Sequence, residues 1–189
     1  VIKVISGYSG GKTQNPSYKD VSSGGTGHIE AVQIYYDPSK ITYEQLLEHF
    51  WKKIDPTDAG GQFVDRGKQY RSAIFVHNEQ QREAAEKSRA ELNQSGTFDK
   101  PIATEILTFN EFWGAEEYHQ DYYKKNPVRY NYYRYRSGRD QFLESVWDSK
   151  EEKTMTQDTS MAPAETKTPY QKPSLKQLRE TLTPLQFKV

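Results

Sequence analysis

The order of strand and helix patterns over the first 147 residues limits most strongly what this chain can fold into. Segments with β-branched or alternating apolar residues predict strands over residues 1–8, 29–36, 71–77 and 103–107. Apolar residues at helical spacing, or a capped charged stretch, predict helices over residues 43–53, 79–94, 117–124 and 138–147. Two strands precede the first helix, unlike the strict alternation of a doubly wound parallel sheet. The pattern therefore predicts an α+β domain with a mixed or antiparallel sheet.

The local signals at the helix starts and in the glycine-rich stretches are specific. Thr42 and Gln45 form a capping-box pattern, and Asn78 is suited to cap the helix that follows it. Residues 12–27 and 55–67 are rich in Gly, Ser, Asp or Pro and are predicted to be loops.

The composition changes after Ser149 and predicts a boundary there. Residues 150–173 hold Glu, Lys, Thr, Gln, Ser and three prolines with almost nothing to bury, which is typical of a linker. Residues 174–183 then place leucines on one face of a short helix, which Pro184 ends. We therefore expect three regions, namely a domain over 1–149, a linker over 150–173 and the start of something larger at 174–189.

Charge and cysteine content exclude several classes of function. Lys plus Arg and Asp plus Glu number 26 each, so no overall basic field would attract nucleic acid or an anionic membrane. No apolar run reaches the roughly 18 residues that a transmembrane helix needs. The absence of cysteine excludes disulfides, thiolate zinc sites and a cysteine nucleophile within these 189 residues. The four histidines lie far apart in sequence, so we expect no metal site.

Short segments in a fixed order carry the most specific signal. The upstream ones are Ser6-Gly7-Tyr8-Ser9-Gly10-Gly11, Asn15-Pro16-Ser17-Tyr18 and Thr26-Gly27-His28-Ile29-Glu30-Ala31-Val32. The downstream ones are Asp65-Arg66-Gly67, Gln69-Tyr70-Arg71-Ser72-Ala73-Ile74 and Ala115-Glu116-Glu117-Tyr118-His119-Gln120-Asp121-Tyr122. Together they resemble the peptide methionine sulfoxide reductase A family over residues 1–147. The resemblance implies a two-layer α/β sandwich around a mixed sheet with ferredoxin-like topology, and reduction of methionine-S-sulfoxide in repair of oxidative damage.

The end of the chain carries a second, shorter resemblance. Lys172-Pro173-Ser174 and Leu182-Thr183-Pro184-Leu185-Gln186-Phe187-Lys188-Val189 resemble the opening of the methionine sulfoxide reductase B family. The two resemblances imply part of a bifunctional enzyme. The A family's Gly-Cys-Phe-Trp nucleophile motif is absent here, so we expect both nucleophiles to lie outside this sequence. We also expect zinc only in the part of the B-type domain that is not included, and no activity from the isolated chain.

The resemblance implies a chemical role for Glu30, Tyr70 and Tyr18. In this family a thiolate attacks the sulfoxide sulfur, and the oxygen leaves only if it is protonated or held by donors. Glu30 lies on a strand between apolar neighbours, where burial would raise its pKa and keep a proton available. The two tyrosines would supply neutral hydroxyl donors. From composition alone, a strand glutamate is more often a salt-bridged or exposed residue, and such tyrosines are more often packing residues.

Three further residues match family positions around the same cleft. Asp65 is expected to support the pocket and polarise the surroundings of the attacking thiol, although it could simply cap a turn before Gly67. His119 and Tyr122 are expected to line the substrate side of the cleft, and His119 could equally be a structural hydrogen-bonding residue. The family resemblance further implies a thioredoxin-like reductant and oxidised proteins or peptides as substrates. The compartment stays open between the cytoplasm and the bacterial envelope.

Two other functions remain possible from the residues. Without a nucleophile, the same pocket could serve a non-catalytic module that binds methionine sulfoxide or a peptide. The basic, aromatic run over residues 129–136 has the composition of a single-strand nucleic-acid binder. The simpler interpretation of this run is a C-terminal segment whose rings pack over the sheet and close the cleft, and we expect neither nucleic acid nor membrane as a partner.

Overall fold

The computed structural model describes the backbone of residues 1–155 and the side chains of residues 1–147. Seven strands are present in this part of the chain: β1 Lys3–Ser9, β2 Ile29–Tyr35, β3 Gly61–Gln62, β4 Asp65–Arg66, β5 Ala73–Val76, β6 Glu105–Thr108 and β7 Phe112–Gly114. Six α-helices accompany them: α1 Tyr18–Ser22, α2 Tyr43–Trp51, α3 Glu79–Gln94, α4 Tyr122–Lys125, α5 Pro127–Arg136 and α6 Arg139–Met155. The α+β class is confirmed. No helix within residues 1–155 is both long enough and apolar enough to cross a membrane.

The strands are divided among three small sheets. The largest has the order β2-β1-β7 and is antiparallel throughout, β3 and β4 form a short hairpin, and β5 and β6 are parallel. Gly7 lies opposite Gly114 where β1 meets β7, and a Cβ at Gly7 would overlap the Trp113 carbonyl oxygen and the Phe112 ring. Glycine is therefore required at Gly7 for these two strands to approach each other.

The core lies where helices α2 and α3 cover the parallel pair. Leu47 and Trp51 of α2 pack with Ile74, Val76 and Ala85, all of them buried. The Trp51 indole N–H donates a hydrogen bond of 2.8 Å to the Ser88 hydroxyl on α3. The spacing of four residues between Leu47 and Trp51 places both on the same face of α2, as the helical pattern predicted.

Most predicted elements are present, with shifted ends. The capping box at Thr42 and Gln45 is formed, and α3 begins after Asn78 and covers residues 79–94 as predicted. The predicted strand over 103–107 begins two residues later, and the predicted helix over 117–124 is reduced to α4. Lys150 to Lys153 favour helix, and α6 accordingly continues to Met155, into the stretch predicted to be a linker.

Several elements were missing from the sequence prediction, among them the short strand β7. Helix α1 lies within the stretch predicted to be a loop over 12–27, and it is stabilised by a capping box between Ser17 and Asp20. The β3–β4 hairpin lies within the other predicted loop. The basic, aromatic run is helical and forms most of α5, with Pro127 at its first turn. The rest of the predicted linker and the B-type segment 174–189 lie outside the described residues.

Candidate active site

A groove of about 1020 Å³ runs between strands β2 and β5 and forms the candidate site. Its wall is apolar along Leu46 and Phe50 of α2 and Ile74 of β5. Polar side chains also line the groove, and they include five of the six predicted site residues: Tyr18, Glu30, Asp65, Tyr70 and His119. Tyr122 begins α4 and is not among the lining residues. Residues that lie up to about a hundred positions apart in sequence thus share one cavity.

The pKa of the Glu30 carboxyl group is raised by its surroundings in the groove. The Glu30 side chain on strand β2 lines the groove. The sequence predicted that its apolar neighbours would bury it, but the residue is exposed to the groove. Desolvation of the carboxyl group by the surrounding protein nevertheless raises its pKa to about 7, and the negative charge of Asp65 acts in the same direction. Glu30 therefore holds its proton up to about neutral pH, well above the range of an ordinary glutamate.

Tyr18 and Tyr70 share the electrostatic environment of Glu30. Burial raises the pKa of each phenol, and the neighbouring charge of Glu30 raises it further, with a contribution from Asp65. Both hydroxyl groups consequently remain protonated donors throughout the physiological range. Tyr18 enters the groove as the first residue of α1, and Tyr70 ends the 3₁₀ turn Lys68–Tyr70.

Glu116 fixes two tyrosines of the site, and the sequence analysis gave it no role. One carboxylate oxygen accepts the backbone N–H of Tyr18 at 2.7 Å, and the other accepts the Tyr8 hydroxyl at 3.0 Å. The bond from Tyr18 is the main cause of the lowered pKa of Glu116. A single ionised side chain thereby connects α1 to strand β1. The only sequence signal was its place in the family segment next to Glu117.

Asp65 is held from the C-terminal part of the fold. It lies in strand β4, whose hairpin turns through Phe63 in a left-handed backbone conformation. The Tyr133 hydroxyl of α5 donates a hydrogen bond to an Asp65 side-chain oxygen. Burial raises the Tyr133 pKa above its ordinary value, and this bond to Asp65 raises it further. Tyr133 also lines the groove and was not predicted as a site residue.

His119 lies between two aromatic rings in the groove. Its ring centroid is 4.6 Å from that of Tyr18 and 4.3 Å from that of Tyr118. Its Nε2 atom is buried and has no hydrogen-bond partner among the described residues. The ring thus presents a free polar atom in a polar cavity, where a ligand could pair with it.

The residues present do not form a metal site. Within the described part of the chain, no group of three or more His, Asp or Glu side chains is placed to hold a metal ion. The groove brings together the carboxyl groups of Glu30 and Asp65, several phenol hydroxyls and the His119 ring.

The fold and the groove define a small α+β protein whose polar site combines a carboxylic acid with hydroxyl donors. The family model for peptide methionine sulfoxide reductase matches residues 1–151. The chain belongs to this family.

Two relatives illustrate the match. The peptide methionine sulfoxide reductase MsrA/MsrB of Vibrio cholerae serotype O1 is 54% identical over 194 aligned residues, which take in 100% of this chain and 51% of that protein. The peptide methionine sulfoxide reductase MsrA of Bacillus licheniformis is 57% identical over 150 residues, covering 79% of this chain and 83% of that protein. The chain thus spans about half the length of the fused relative.

Solved structures support the fold. Mxr1 from Saccharomyces cerevisiae in its reduced form superposes with a TM-score of 0.63 at 34% identity, covering 67% of this chain and 72% of that one. Methionine sulfoxide reductase A of Corynebacterium diphtheriae gives 0.59 at 37% identity, with 68% and 65% covered.

Proposed function

We propose that this chain supplies the sulfoxide-binding and proton-donating part of a peptide-methionine (S)-S-oxide reductase. The observation that carries the proposal is the carboxyl group of Glu30, which stays protonated to about pH 7 beside two phenol donors in one groove. A sulfoxide oxygen carries substantial negative charge and accepts hydrogen bonds, while its methyl group needs an apolar wall. The lining of the groove offers both kinds of surface.

In the proposed reaction, a cysteine thiolate from outside these 189 residues attacks the sulfoxide sulfur. Glu30 gives its proton to the sulfoxide oxygen, and Tyr18 and Tyr70 hold that oxygen while charge develops on it. The oxygen moves from the substrate sulfur to the thiol sulfur. The sulfoxide is thereby reduced by two electrons to the thioether, and the thiol is oxidised to a sulfenic acid. Asp65 keeps the proton on Glu30 by its charge, and His119 is assigned to the substrate side. Tyr122 does not line the groove and is assigned no contact with the substrate.

The reaction also needs a dithiol to complete the cycle. A second thiol displaces the hydroxyl of the sulfenic acid as water and forms a disulfide, which a thioredoxin-like reductant then reduces. We assign oxidised proteins or peptides as substrates, as the family resemblance implies.

The arrangement along the chain extends this proposal. The fused relative from Vibrio cholerae aligns with the whole chain, including the segment that resembles the B family. We therefore propose that the predicted linker over 150–173 begins after the end of α6, and that a second reductase domain starts at 174–189.

Binding of a sulfoxide at different pH values tests the proposal on the chain as it exists. We expect N-acetyl-methionine-S-sulfoxide amide to bind several-fold more tightly at pH 6 than at pH 8.5, because Glu30 loses its proton in between. Glu30→Gln, which keeps a neutral donor at every pH, should bind with little dependence on pH. Glu44→Gln on α2 is the matched control and should behave like the unmodified chain. No measurable binding, or equal binding at both pH values, would refute the proposal.

A second candidate is a module that binds the sulfoxide without reducing it, and the absence of cysteine from the chain favours it. Both candidates predict that the 189-residue polypeptide alone does not reduce methionine sulfoxide in the presence of dithiothreitol. A reductase assay on a longer form of the protein that contains cysteine separates them. Turnover supports the reductase, and binding without turnover supports the module.

A further inference from the structure

The two C-terminal helices hold the hairpin that carries Asp65. Arg139, at the start of α6, places its guanidinium carbon 4.5 Å from the centre of the Phe63 ring and donates a hydrogen bond of 2.9 Å to the Lys53 carbonyl oxygen. Phe142 packs edge-on against Phe63 at 5.6 Å between ring centroids. The tip of the β3–β4 hairpin is therefore fixed by α6 on one side of Asp65.

Helix α5 holds Asp65 itself. Tyr133 reaches across from α5 and donates its hydroxyl hydrogen to Asp65, 68 positions away in sequence. The orientation of α5 is fixed in turn by an ion pair between Arg134 and Asp140, in which two guanidinium nitrogens lie 2.7 and 3.0 Å from the same oxygen. Both side chains of this pair are largely buried. The Tyr133 side chain is partly exposed, but its hydroxyl is held by the bond to Asp65 and its helix by the ion pair.

We infer that Tyr133 is a positioning residue for the proposed reaction, because its hydroxyl binds the Asp65 carboxylate in the groove that Glu30 also lines. The catalytic role of Tyr133 rests on the proposed function, whereas its hydrogen bond to Asp65 is present in the structure regardless of function. Among the described residues, the charge of Asp65 raises the Glu30 pKa in addition to the loss of solvent. A residue that orients Asp65 therefore acts on the proton donor without touching the substrate.

The other groups around Asp65 define what happens when this contact is lost. Burial raises the pKa of Tyr18 and of Tyr70, and the charges of Glu30 and Asp65 both raise it further. Burial lowers the pKa of Arg139, and Tyr133 and Asp65 act in the opposite direction. Without the Tyr133 hydroxyl, Asp65 is expected to turn toward the guanidinium group of Arg139, a cation on which its charge already acts. The negative charge then moves away from Glu30, and the Glu30 pKa falls from about 7 toward its ordinary value.

A carboxyl titration by NMR tests this directly, with ¹³C-labelled glutamate in the 189-residue chain and no substrate. We expect Tyr133→Phe to lower the Glu30 titration midpoint by about 0.5 or more. Tyr123→Phe removes a phenol hydroxyl from the adjacent helix α4 and should leave the midpoint unchanged. Thermal unfolding of the variants shows whether the fold is kept. A midpoint that is unchanged or raised in folded Tyr133→Phe overturns the inference.

A double-mutant cycle separates positioning through Asp65 from any other effect of Tyr133. Asp65→Asn should lower the midpoint by itself, and adding Tyr133→Phe to it should produce no further change. A second full decrease in the double variant would mean that Tyr133 does not act through Asp65, and would overturn the inference. Sulfoxide binding is measured on the same samples. Absence of binding by the unmodified chain would refute the proposed function while leaving the titration result to decide the role of Tyr133.

Discussion

Tyr8 and Glu30 lie directly opposite each other in the antiparallel register of strands β1 and β2. Their side chains therefore occupy the same face of the sheet, the face that lines the groove. Tyr8 is buried, and its hydroxyl turns to Glu116. Burial, followed by this bond, raises the Tyr8 pKa well above its ordinary value. Tyr8 thus lies between Glu30, the proposed proton donor on β2, and Glu116, the residue that holds Tyr18.

Glu116→Ala is predicted to weaken sulfoxide binding by about tenfold. The substitution removes the acceptor of the Tyr18 backbone N–H and of the Tyr8 hydroxyl, and hydrogen bonds to a charged group contribute about 1.5–3 kcal/mol each. Glu117→Ala is the matched control, since the neighbouring Glu117 is exposed and pairs only with Lys125 in the described contacts. Titration calorimetry at pH 6 measures both variants. Equal affinity in Glu116→Ala and Glu117→Ala would contradict the role given to Glu116.

The raised pKa of Glu30 predicts how stability depends on pH. Between about pH 4.5 and about pH 7 the folded chain keeps the Glu30 proton and the unfolded chain loses it. The contribution of Glu30 to the free energy of unfolding is therefore largest in acid and declines as pH rises through about 7. Glu30→Gln removes this decline, so its stability relative to the unmodified chain should increase from pH 5 to pH 8. Urea denaturation at both pH values measures the difference, and a constant or decreasing difference is the opposite result.

Local sequence signals predicted the elements that begin with a strong cap. The reciprocal pair of Thr42 and Gln45 starts α2, and Asn78 starts α3, because these side chains satisfy N–H groups that no helix can satisfy internally. The same kind of signal exists at Ser17 and Asp20 before α1. The surrounding glycines and serines nevertheless favour a loop, and a helix of five residues is too short to show an apolar periodicity.

The family segments predicted which residues share the groove, but not what holds them there. Tyr18, Glu30 and Asp65 come together as the resemblance implied. The contact of Tyr133 with Asp65 could not be predicted, because it joins a helix to a two-residue strand and leaves no periodic trace in the sequence. Glu116 was hidden for a similar reason, since its partners lie 98 and 108 positions away.

Substitution of Trp51 tests the core packing that holds helix α2, which forms part of the groove wall. Trp51→Phe is predicted to lower the free energy of unfolding by about 1–3 kcal/mol, through the lost ring volume and the lost hydrogen bond to Ser88. Ser88→Ala removes only the acceptor and should cost about 1–2 kcal/mol, because the buried indole N–H is left unpaired. Urea denaturation followed by circular dichroism measures both. A cost below about 0.5 kcal/mol for Trp51→Phe would mean that Trp51 does not anchor α2 to α3.

Helix α5 is predicted not to bind single-stranded nucleic acid. A stacking surface needs aromatic faces and guanidinium groups that are free to meet bases and phosphates. Here Arg134 is paired with Asp140 and lies 5.8 Å from the Tyr130 ring centre, and Tyr133 is directed to Asp65. Fluorescence anisotropy with labelled oligo(dT) and oligo(U) at 50 mM salt should therefore show no saturable binding. Binding that weakens steeply as salt is raised, and that Tyr133→Phe leaves unchanged, would instead show a second surface on α5 independent of the groove.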